Sequence, residues 1–189
     1  MVSLRSLIAG VALIAAPVMA AMEPADIKLT FNILEASAES LEEVAHRINP
    51  VNALSQLIRQ GPLQDLLEGF AEMTSTTNDA DAELEGSSPI PDGEEADDVF
   101  YALRDFVRRH QVLSNILMGK ASELQETPSA GPPMVDAVGK LKLAYEAFGN
   151  HTAALVDERN NDWQSLSDEL SETFKYLIQE YEKLTDPTA

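Results

Sequence analysis

The chain has 189 residues, with 32 acidic against 13 basic side chains, a formal net charge of −19 at pH 7 and no cysteine. That balance excludes the concentrated basic face needed to bind nucleic acid or to dock electrostatically on anionic membranes. The lack of cysteine excludes disulfide staples, thiol nucleophiles and zinc–thiolate sites, so a folded domain must hold by packing alone.

The first element is a targeting segment. Arg5 precedes an apolar run from Leu7 to Ala16, and Pro17-Val18-Met19-Ala20 follows with the small residues that signal peptidase accepts. Residues 1–20 are therefore expected to be a signal peptide, cleaved after Ala20 or Ala21. The run is shorter than the roughly 20 apolar residues of a membrane span. The rest, residues 21–189, is expected to be a single domain that is secreted, extracellular or in the cell wall.

Beyond Pro24, a favoured first-turn residue, Ile27, Phe31, Leu34, Ala38, Leu41, Val44 and Ile48 recur at steps of three and four. This spacing predicts an amphipathic helix ending at Asn49-Pro50. Val51, Leu54, Leu57 and Ile58 predict a short continuation. After Gly61-Pro62 the stripe resumes with Leu63, Leu66, Leu67, Phe70 and Met73, as a kinked helix or two short ones. Residues 74–98 are acidic and rich in Ser, Thr, Pro and Gly, which predicts a long mobile loop. A broad stripe from Val99 to Leu124 ends near Ser129-Ala130-Gly131-Pro132-Pro133. Another runs from Met134 to Phe148 and weakens at Gly149-Asn150. A last stripe carries Trp163, Leu170, Phe174, Leu177 and Tyr181 and ends at Asp186-Pro187. No segment alternates with a period of two. The fold class is all-α, a bundle of about five amphipathic helices that cover one another's apolar faces.

Few residues offer chemistry. Glu43 and His46 share a helix face, but the second Glu-x-x-His pair that a di-iron bundle needs is missing. Asp79, Asp81 and Glu83 alternate like a calcium loop, yet Leu84 stands where the loop's glycine belongs. No catalytic motif or phosphate-cradling loop occurs, so no enzyme activity, metal or cofactor is expected. Asn150-His151-Thr152 is a glycosylation sequon, making Asn150 a candidate acceptor; an ordinary polar kink is the alternative.

The helix from Asp26 to Ile48, the stretch Ala53-Leu54-Ser55-Gln56-Leu57-Ile58-Arg59-Gln60-Gly61-Pro62-Leu63, the segment from Phe100-Tyr101-Ala102-Leu103 to Ile116-Leu117-Met118-Gly119-Lys120, and Val135-Asp136-Ala137-Val138-Gly139-Lys140-Leu141 carry a resemblance. Together, behind a leader and without cysteine, they resemble the fungal hydrophobic surface-binding protein A or cell-wall galactomannoprotein family. The chain departs from that pattern in its longer acidic stretch and in Asn49-Pro50, where many members carry a glycine pair. The resemblance implies an exported, non-enzymatic bundle whose partner is a lipid, held as a fatty acid between helices. Its alternatives are adsorption to a hydrophobic surface through opened helices, or a structural role as a wall glycoprotein. On the lipid reading, Phe31, Leu34, Leu57, Phe70, Leu103, Phe106, Leu141 and Phe174 line a cavity; otherwise they are plain core. An anionic head group would take a helix N-terminus or Arg59, Arg104 or Lys140 as its donor.

Overall fold

A computed structural model describes residues 21–53, 60–156 and 159–185. The expected signal segment, Leu57, Arg59 and Asp186-Pro187 lie outside the described residues.

Helix α1 spans Pro24–His46 and buries Ile27, Phe31, Leu34, Ala38, Leu41 and Val44, the stripe expected from the spacing. Its start is held where the Glu23 backbone N–H donates to Asp26 Oδ2 at 3.1 Å. The single-turn helix α2, Pro50–Ala53, follows. Asn49 caps it: Asn49 Oδ1 accepts from the backbone N–H of Val51 and Asn52, and Asn52 Oδ1 accepts from that of Asn49.

Helix α3, Pro62–Glu83, begins after Gly61, whose φ of 94° gives the chain a turn that other residues resist. Here the structure corrects the expected loop. Residues 74–83 are helical, and the connecting segment is only 84–93. The apolar stripe does not stop at Met73 but continues through Thr77 and Ala80 to Leu84, all buried. Thr77 tolerates that burial because its hydroxyl donates to the Met73 carbonyl at 2.8 Å. The connecting segment is itself tied down. Ile90 is buried, and its backbone N–H donates to the Leu155 carbonyl at 2.8 Å, forming a lone bridge beside Val156. Ser87 Oγ accepts from the Met22 backbone N–H at 2.9 Å.

Helix α4, Glu94–Glu123, is the longest at 30 residues, and Glu94, Glu95 and Asp97 sit where its dipole favours negative charge. A 3₁₀ turn at Pro128–Ala130 leads into α5, Gly131–Ala153, and α6 is Asn160–Glu182. Helix α5 runs straight through Gly149-Asn150 instead of weakening there.

The helices close a ring. Helix α1 packs on α4, α4 on α6, α6 on α5, α5 on α3, and α3 back on α1. Helices α5 and α6 run antiparallel, with Gly131 against Tyr181 at one end and Gly149 against Trp163 at the other. A Cβ at Gly131 would lie 2.7 Å from the Tyr181 carbonyl oxygen, so the helices meet that closely only with glycine there. Each helix turns its buried stripe inward. Among the described residues no helix is long and apolar enough to cross a membrane.

Candidate functional site

The ring encloses a connected run of aromatic side chains. Phe31 from α1 meets Phe106 of α4, Phe148 of α5 and Trp163 of α6, with ring centroids 5.3, 5.2 and 5.9 Å away. Phe106 continues the run to His110 at 4.3 Å and Tyr145 at 4.9 Å, and Tyr145 reaches Phe174 at 5.9 Å. These edge-on and tilted pairs suit the ring quadrupoles. All of these rings are buried.

Two polar groups sit inside this apolar run, and both are satisfied. His110 Nδ1 lies 2.9 Å from the Phe106 carbonyl and Nε2 lies 2.8 Å from Tyr145 Oη. A carbonyl only accepts, so Nδ1 carries the proton, and the Tyr145 hydroxyl donates to Nε2. Burial lowers the His110 pKa to about 4, against a smaller upward pull from the Phe106 carbonyl, so the ring is neutral at pH 7. Burial likewise pushes the Tyr145 hydroxyl well above its ordinary value. Trp163 Nε1–H donates to the Gly149 carbonyl at 2.9 Å, and the Tyr181 hydroxyl to the Leu117 carbonyl at 3.2 Å.

The aromatic run reaches the surface between α5 and α6. There Phe31, Leu103, Phe106, Tyr145, Phe148 and Phe174 floor a narrow space whose rim is Lys142 and Glu146 of α5 with Ser167 and Ser171 of α6. Its free volume is about 20 Å³, room for about one water molecule. Ligand pockets run to roughly 300–1,000 Å³, so a ligand of that size would fit only if these side chains moved aside. At the rim, Glu146 Oε1 accepts from Lys142 Nζ at 2.6 Å and from the Ser171 hydroxyl at 2.7 Å. Partial burial would raise the Glu146 pKa, but the hydrogen bonds from Lys142 and Ser171 and the Lys142 charge outweigh it and hold the carboxyl below its ordinary value.

Of the residues singled out from sequence, Phe31, Leu103, Phe106 and Phe174 converge on this space. Leu34, Phe70 and Leu141 are fully buried core residues that do not border it, and Leu57 lies outside the described residues. Arg104 lies over the Tyr101 ring at 4.9 Å and pairs with Asp105. Lys140 is exposed and pairs with Asp136 at 2.6 Å. Neither reaches the rim, where the lysine is Lys142. Sequence reasoning missed Tyr145 and Phe148, which line the space, and all four rim residues, and it did not place His110 in the aromatic run. Ser167 and Ser171 are four apart on one face of α6, a spacing that could have flagged them.

Two wider depressions lie on the surface. One, of about 310 Å³, lies between α3 and α5 against Leu67, Ala71, Pro133 and Ala137. The other, of about 290 Å³, lies between α1 and α4, where Arg109 pairs with Glu42 at 3.3 Å and Glu39 at 3.6 Å. Neither connects to the aromatic run through a shared lining residue. Asp81, a candidate calcium ligand by its spacing, pairs with His151 at 2.7 Å. Asn150 is exposed in the last turn of α5, while Thr152 is buried with its hydroxyl donating to the Phe148 carbonyl at 2.7 Å. Among the described residues, no three His, Asp or Glu side chains are grouped to hold a metal.

No protein-family model matches the sequence, and no curated protein is significantly similar to it. The fold has solved counterparts. Ligand binding domain 2 of the Penicillium marneffei MP1 protein, solved with multiple arachidonic acids, superposes with a TM-score of 0.71 at 13% identity, over 85% of this chain and 96% of that one. Ligand binding domain 1 of the same protein, also with arachidonic acids, gives 0.71 at 13% identity, over 84% and 99%. AFMP4P in complex with palmitic acid gives 0.64 at 15% identity, over 84% and 99%. At such identities the likeness establishes a shared helical fold.

Proposed function

We propose that the protein is a secreted, non-catalytic carrier of fatty acids or similar single-chain lipids, related to the fungal wall mannoproteins, and that it takes the chain into the bundle between α5 and α6. The observation that carries this reading is the aromatic run from Trp163 to Phe174, which is buried throughout and reaches the surface at a polar rim. The fatty acids held by three structures of the same fold support it. A chain of roughly 16 carbons supplies about 12 kcal/mol of gross burial to set against the displaced aromatic packing. With no cysteine in the chain, no disulfide staples the helices against such a displacement.

The test is native mass spectrometry of protein from its natural source, followed by lipid extraction. The expected result is a mass increment that matches an extracted single-chain lipid. A clean protein mass that stays unchanged when a fatty acid and the matching fatty alcohol are each added would count decisively against a carrier.

A further inference from the structure

We propose that Glu146 makes the opening between α5 and α6 selective for single-chain lipids with a hydroxyl head group over those with a carboxylate. This deepens the lipid-carrier reading and rests on it. The rim residues decide the matter by how their donors are already used. Lys142 Nζ and Ser171 Oγ, the donors a carboxylate would seek, both donate to Glu146 Oε1 at 2.6 and 2.7 Å. The second oxygen, Oε2, takes part in neither bond. An arriving carboxylate brings no proton to donate to Glu146, must share Lys142 with a carboxylate that already neutralises it, and comes to rest beside a like charge.

A hydroxyl head has the opposite balance. It donates to Glu146 Oε2, accepts from Ser167 across the gap, and leaves the Lys142–Glu146–Ser171 bonds intact. Ser167 lines the same opening, with its Oγ 3.4 Å from where a Cβ on Gly149 would sit, one helical turn along α5 from Glu146. The Lys142 and Glu146 side chains are only 23% and 36% exposed, so solvent screens the repulsion incompletely. The surrounding protein is strongly acidic, which adds to the discrimination against an anion.

The test titrates full-length mature protein at neutral pH with a saturated alcohol and the fatty acid of equal chain length. Binding is read from the emission of Trp163, the chain's one tryptophan, which packs on Phe31 at the floor of the opening. The wild type is expected to bind the alcohol about tenfold more tightly than the acid. Glu146→Gln should bring the two affinities to within about threefold, and Lys142→Met, which leaves Glu146 uncompensated, should widen the gap. A circular-dichroism melt of each variant confirms that it is folded before it is titrated. If both lipids bind but the acid binds as well as the alcohol, or the ratio ignores both substitutions, the selectivity is overturned while the carrier reading stands. If neither lipid perturbs Trp163 nor travels with the protein in native mass spectrometry, the carrier reading itself fails.

Discussion

A histidine enclosed by Phe106, Tyr145 and Phe174 stays in this core only as the neutral imidazole. Its folded pKa of about 4 lies below the ordinary value of 6.5. Between those values the unfolded chain binds a proton that the folded chain refuses, so His110 withdraws stability as the pH falls through that window. The full loss, reached near pH 4, is about 3 kcal/mol. Urea unfolding of the wild type and of His110→Gln, which keeps a donor and an acceptor but does not titrate, isolates this contribution from that of the carboxylates. At pH 7 the variant should be the less stable by about 1–3 kcal/mol, with a gap that closes or inverts by pH 4. Phe106 stands at the junction of both halves of the aromatic run, beside a space of only 20 Å³. The site is thus packed, and Phe106→Ala should cost about 3–5 kcal/mol in the same measurement.

At the scale of the helices, the two glycines of α5 that touch α6 differ in what they permit. A methyl group at Gly131 would press on the Tyr181 backbone at 2.7 Å, which cannot move without moving the end of α6. Gly131→Ala should therefore destabilise by about 1–3 kcal/mol. A methyl at Gly149 meets only Ser167 Oγ at 3.4 Å, a side chain that can turn away, and should change the melting temperature little. Thermal melts of the two variants make the comparison. The stripes of α1, α4, α5 and α6 were legible because Leu, Ile, Val and Phe mark nearly every inward turn. The second half of α3 was not, because its inward positions are Thr77 and Ala80, which carry little hydrophobic signal and are surrounded by Ser, Asp and Glu. Their steps of three and four nonetheless extend the spacing of Leu63, Leu66, Phe70 and Met73 without a break. The rim was illegible for a different reason. Lys142, Glu146, Ser167 and Ser171 each look like an ordinary solvated position, and only the antiparallel packing of α5 on α6 gathers them.

For the molecule as a whole, the dominant electrostatic fact is self-repulsion. With 32 acidic side chains against 13 basic ones, compaction crowds like charges that the unfolded chain spreads out. Added salt screens that repulsion, so moving from low ionic strength to physiological levels should raise the melting temperature by about 2–4 °C, equivalent to about 1 kcal/mol. A scanning calorimetry series in sodium chloride checks this.

The contact between α5 and α6 is fastened at both ends. At one end Trp163 bonds to the Gly149 carbonyl, and Ile90 is stitched to Leu155 just beyond α5. At the other end Gly131 lies against Tyr181, whose hydroxyl reaches across to Leu117. Lys142, Glu146, Ser167 and Ser171 fall between these fastenings, near the middle of each helix. Two rods pinned at their tips part most at mid-span, so on the carrier proposal the opening would be a buttonhole and not a door: it would pass a slender chain end-on and stop a rigid plate. A fused-ring sterol of the same carbon count as a bound chain is accordingly expected to leave Trp163 emission unchanged.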